Sequence, residues 1–130
     1  TVEAVGHAFG IDKTLLGIDA VANGRQVGKD LDEAGILALL EKWPEPRLVV
    51  SPIGAQGFVL GRGTQQISPR VMRAVGRNGL IVVSTPAKLA ATPTLRFDSG
   101  DPALDAELRG DGYLPVVTGY RFSKRVKVAA

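Results

Sequence analysis

The sequence predicts an α/β domain: a mostly parallel sheet with helices on both faces, one antiparallel hairpin and an antiparallel edge strand. Three observations carry this expectation. Short apolar runs, suited to strands covered on both sides, alternate with segments in helical rhythm. Helix punctuation is explicit, with Ser or Asp directly before Pro at the starts and Gly at the ends. The 130 residues suffice for one domain whose core needs no cross-links.

Taken in order, Val2, Val5 and Phe9 keep helical spacing, and Gly10 can close that first helix. Residues 14–21, TLLGIDAV, read as an apolar strand, and Asn23-Gly24 is a strong two-residue hairpin signal. Residues 25–29 return as its short antiparallel partner. Asp30 and Glu33 have the spacing of a capping pair. The helix they open carries Ile36, Leu37, Leu40 and Trp43 on one face and stops at Pro44 and Pro46. Leu48-Val49-Val50 is the next strand, followed by a glycine-rich stretch, SPIGAQGFVLGRGTQQISP, residues 51–69. Ser68-Pro69 opens a helix with Val71, Met72 and Val75 inward and Gly76 at its end. Residues 80–83 and 95–97 are strands, Asp101-Pro102 starts a short helix ended by Gly110, and residues 116–117 and 126–128 complete the sheet.

Composition removes several classes of chemistry. Without cysteine there are no disulfides and no thiolate metal sites, which fits a cytoplasmic protein. His7, the only histidine, sits one turn after Glu3 as an ordinary exposed pair, so Ser–His and Cys–His catalysis lack material and a zinc site is close to excluded. No catalytic residue is assigned. The net charge is +3, with the one local concentration at Lys124-Arg125-Val126-Lys127, where alternation suits an edge strand. Aromatic residues are few, so the expected partner is a small phosphorylated metabolite rather than nucleic acid. No apolar run approaches the ~20 residues that span a bilayer, so no membrane partner is expected. Thr1 is not a methionine and helical rhythm begins at once, so the chain reads as a piece of something longer.

The glycine-rich stretch is the strongest functional candidate. It leaves a strand and enters a capped helix, the place where open α/β sheets receive ligands. Gly54, Gly57, Gly61 and Gly63 let backbone N–H groups approach an anion, and the helix mouth at Ser68 adds partial positive charge. Arg62 offers a forked contact to phosphate, while Gln56, Gln65 and Gln66 offer donors and acceptors for hydroxyls or a base edge. The competing reading is a structural loop with tight turns and a solvated arginine. Three further segments border the same rim if the sheet is parallel. STPAKLAATP supplies Thr85 and Lys88; DSGDPALD supplies Asp98 and Asp101, for ribose hydroxyls or magnesium, with helix capping as Asp101's alternative; VVTGY supplies Tyr120, equally suited to packing.

These segments, in this order, resemble the C-terminal domain of the ATP-NAD kinase-like proteins, which include a subgroup named after acetoin catabolism. KTLLGIDAV, RLVVSPIGAQGFVLGRGTQQISPRVMRAVG, LIVVSTPAKLAATPTLRFDSGDPALDAELRG and VVTGY carry the likeness over nearly the whole chain. Ala55 and Thr64 stand where the family has a second glycine and an asparagine. The resemblance implies a missing N-terminal catalytic domain bearing a Gly-Gly-Asp-Gly motif, with ATP and magnesium used by the full-length protein. It implies that this chain binds an NAD-like nucleotide or other acceptor and is inactive alone. Two alternatives stand beside it: a phosphosugar-binding module of isomerase or deaminase type, and a non-catalytic domain that forms homo-oligomers.

Overall fold

Asn23 and Gly24 both adopt positive φ, 51° and 76°, the backbone that a tight turn between right-twisted strands requires. They join β1 (Ile18–Ala22) to β2 (Arg25–Leu31) in a separate two-stranded antiparallel sheet. The computed structural model describes residues 2–8, 18–53, 56–60 and 66–129. Helix α1 (Val2–Ala8) precedes the hairpin. The expected roles of Phe9, Gly10 and residues 14–17 lie outside the described residues. After the hairpin comes α2 (Glu33–Lys42), capped by Asp32, whose Oδ1 accepts from the Gly35 N–H at 2.8 Å. The cap is therefore Asp32 rather than Asp30, which remains in β2 with φ 51° and donates its own N–H to Asp19 Oδ1.

Six strands form the main sheet: β3 (Leu48–Val50), β4 (Phe58–Leu60), β5 (Leu80–Val83), β6 (Thr94–Phe97), β7 (Tyr113–Gly119) and β8 (Phe122–Val128). Their order is β3-β5-β7-β8-β6-β4. All neighbours are parallel except β7 and β8. The class is thus as expected, α/β with a mostly parallel sheet and an antiparallel hairpin. The antiparallel strand β8, however, stands in the middle of the order and not at its edge. Its alternating charges arise from an open face, because Val126 and Val128 point into the core while Arg125 and Lys127 point to solvent.

Three helices follow strands: α3 (Pro69–Val75), α4 (Pro86–Ala91) and α5 (Pro102–Arg109). Each has Pro at its first position and an N-cap side chain, respectively Ser68, Thr85 and Asp101, accepting from the first turn. A single 3₁₀ turn (Arg77–Gly79) links α3 to β5. Ile36, Val71, Met72, Leu104 and Leu108 of α2, α3 and α5 bury together with Leu60, and Leu48, Leu80 and Phe97 pack against that cluster. Leu89 of α4 joins Val82, Leu95, Leu114, Val116, Val126 and Val128 in a second cluster. These side chains share one face of the sheet by register. The opposite face of β7 and β8 presents Tyr113, Pro115, Val117, Ser123, Arg125 and Lys127 to solvent. Over these strands the expectation of helices on both faces does not hold, since every second residue of β7 and β8 is polar or half-exposed.

Candidate functional site

The reversal between β7 and β8 divides the molecule into two ends. Strands β3, β5 and β7 finish at one end, and β4, β6 and β8 finish at the other. The glycine-rich stretch, read from sequence as one loop, is interrupted by β4, an apolar Phe-Val-Leu triplet. The chain leaves β3, crosses to the far edge of the sheet, forms an antiparallel bridge from Ile53 to Phe58 and runs back through β4. Gln56 and Gly57, before β4, and Gln66, after it, therefore lie at opposite ends.

At the end where β3 finishes stand Gln56, Gly57, Thr85, Lys88 and Tyr120. Gly57 has φ 75°, its carbonyl accepts from the Arg96 N–H at 3.0 Å, and a Cβ there would lie 2.4 Å from the Thr94 carbonyl oxygen. That glycine is required by its fit against β6. Thr85 Oγ1 accepts from the Lys88 N–H at 3.1 Å as the cap of α4. Tyr120 is 82% exposed at the tip of the β7–β8 hairpin with Arg121 beside its ring, so it is not packing. Gly54 lies outside the described residues.

The other end gathers Gln66, Ser68, Asp98 and Asp101. The Asp98 N–H donates to the Leu60 carbonyl at 2.8 Å, which sets the end of β4 beside the turn after β6. Ser68 Oγ accepts from Val71 N–H at 3.3 Å. Asp101 caps α5 by accepting from the Ala103 and Leu104 N–H groups at 3.1 and 3.2 Å, and Arg73 of α3 pairs with its second oxygen. The hydrogen bond from Arg73, aided by those N–H donors, holds the Asp101 carboxyl below the usual carboxylate range. Asp105 Oδ1 accepts from the Ser99 hydroxyl at 2.6 Å and the Ser99 N–H at 3.1 Å. Asp101 and Asp105 are thus engaged with donors, a poor arrangement for magnesium, which takes oxygen ligands free to face it. Among the described residues no group of three or more His, Asp or Glu is placed to hold a metal ion. Gly61, Arg62, Gly63 and Gln65 lie outside the described residues.

Sequence reasoning missed Arg73, which ties α3 to the start of α5, and Arg77, which donates to the Leu108 and Tyr113 carbonyls at 3.2 and 2.7 Å. Both act across gaps of about thirty residues, so no local pattern announces them.

With the geometry in place, the comparison with known families is decisive. The model of the ATP-NAD kinase C-terminal domain matches residues 2–128. The chain belongs to this family. No curated protein and no solved structure gives a significant match. As an ATP-NAD kinase C-terminal domain, the chain is one part of a nucleotide kinase architecture whose N-terminal domain is the partner that membership implies. No helix among the described residues is long and apolar enough to cross a membrane.

Proposed function

We propose that this chain is the acceptor-binding half of an ATP-NAD kinase-like phosphotransferase of the acetoin-catabolism type, cytoplasmic, and inactive without its N-terminal catalytic domain. In the full-length protein ATP and magnesium belong with that domain. The observation that carries the reading is the family match over residues 2–128. The acceptor is a small phosphorylated metabolite or NAD-like nucleotide, met at the end of the sheet where β4 and β6 finish. Support comes from what stands there: the end of β4, where the Leu60 carbonyl accepts from the Asp98 N–H, and Gln66 with Ser68 before α3; in sequence Gly61, Arg62, Gly63 and Gln65 fall between Leu60 and Gln66. Arg62 would receive the phosphate as a forked, charge-assisted contact and the glutamines would read polar edges. Thr85 and Lys88, with Gln56 and Tyr120, stand at the opposite end and outside this site.

The test is a thermal-shift series with NAD, NADP, ATP, ADP and sugar phosphates. A ligand at a hundred times its dissociation constant stabilises by about 2.7 kcal/mol. Arg62→Ala is expected to weaken the active ligand by roughly tenfold or more, the scale of a hydrogen bond to a charged group, while Lys88→Ala leaves it unchanged. The reverse pattern would move the site to the other end of the sheet. ATP-dependent phosphorylation by the isolated chain would overturn the claim that it is inactive alone.

A further inference from the structure

The β7–β8 hairpin concentrates charge and aromatic rings that composition alone spreads thinly. Residues 113–129 hold Tyr113, Tyr120 and Phe122, three of the seven aromatic residues (one Trp, two Tyr, four Phe). They also hold Arg121, Lys124, Arg125 and Lys127, and no Asp or Glu. All seven of these side chains are exposed, Tyr120 at 82% and Phe122 at 72%, far beyond what a packing role leaves. Arg96 of β6 extends the basic face, because Thr94 pairs with Lys127 and Arg96 follows on the same side. The neighbouring carboxylate, Asp111, is shared between Arg125 at 3.5 Å and Arg77 at 3.6 Å, so it cannot neutralise the face.

We propose that this hairpin binds single-stranded nucleic acid. Each tyrosine has a guanidinium against its ring, Arg125 at 4.2 Å from the Tyr113 centroid and Arg121 at 5.3 Å from that of Tyr120. The two pairs sit at opposite ends of β7, roughly 20 Å apart at the rise of a strand; Arg125 and Lys127 share the open face with Tyr113, while Lys124, paired with Val116, lies on the other face. Planar rings and guanidinium planes accept stacked bases, and a track of cations follows a phosphate backbone. The surface there is an open groove of about 440 Å³ beside Tyr113, Pro115 and Arg125, which suits an extended chain better than an enclosed small molecule. A second copy would set like charges face to face. A membrane would call for cations around the tip, whereas here they continue to Lys127 at the far end.

The experiment is fluorescence anisotropy with a labelled single strand of about 12 nucleotides, at low salt, alongside a duplex of equal length. Saturable binding is expected, with a log–log salt slope of about −3 for four phosphate contacts and a duplex at least tenfold weaker. Tyr120→Ala should weaken the single strand by about fivefold or more, the loss of one stacked base, and Arg125→Glu with Lys127→Glu should abolish binding. Circular dichroism and melting establish that the variants fold. The proposal fails if the strand does not bind, if the duplex binds equally, or if poly-glutamate or anionic vesicles compete as well as the strand. It fails too if Tyr120→Ala is silent. Displacement by excess ADP would also overturn it, since that would put the strand at the metabolite site; loss of the metabolite site itself leaves the hairpin result standing.

Discussion

Gly57 illustrates how a residue can be legible as special and still be misread in purpose. Its positive φ and the 2.4 Å approach of the Thr94 carbonyl to a would-be Cβ give it a structural task, the close seating of β4 against β6. Gly57→Ala is therefore expected to destabilise the domain by about 1–3 kcal/mol, the scale of a residue forced into a sparsely populated backbone region, read from the urea midpoint. An unchanged midpoint would return Gly57 to the ligand-binding candidates. Asp101 was legible as a cap from its place before Pro102, but Arg73, 28 residues away, was not. Because the folded-state carboxyl titrates below its unfolded value, its contribution is complete above the ordinary carboxylate range and is lost as pH falls through the lowered value. Asp101→Asn should flatten the acid limb of the stability profile below about pH 4, measured as melting temperature against pH. Parallel profiles for the two proteins would refute this.

Helices with a side-chain cap and a first-position proline were readable because their signals are local. Ser68, Pro69 and Gly76 mark α3, and Asp101, Pro102 and Gly110 mark α5. Replacing Ser68 with Ala removes one acceptor at the start of α3 and should lower stability by about 1 kcal/mol, visible as a shifted denaturation midpoint with unchanged slope. The same logic applied to α4 would have found it, since Thr85-Pro86 repeats the pattern; its short length hid it among loops. β4 was missed for the opposite reason. Three apolar residues between glycines carry too little periodicity to separate a strand from a turn, yet that triplet carries the chain from one end of the sheet to the other.

At the scale of the whole molecule, the class was legible and the strand order was not. Alternation of apolar runs and helices reports that a sheet is layered with helices, but pairings between distant strands leave no local trace. β8 read as an edge because its charges alternate, a pattern that an open face produces equally well. Its central place predicts the outcome of truncation: a chain ending after Tyr120 should lose cooperative unfolding altogether, whereas removal of a true edge strand would leave a weakened but still cooperative domain. Denaturation monitored by circular dichroism separates the two. The same placement bears on how the protein is born. A ribosome releases β3, β5 and β7, and separately β4 and β6, before the strand that must join them, so the emerging polypeptide holds two unjoined half-sheets with bare hydrogen-bonding margins. Closure awaits residues 122–128, which makes nascent chains paused short of them natural clients for holding chaperones.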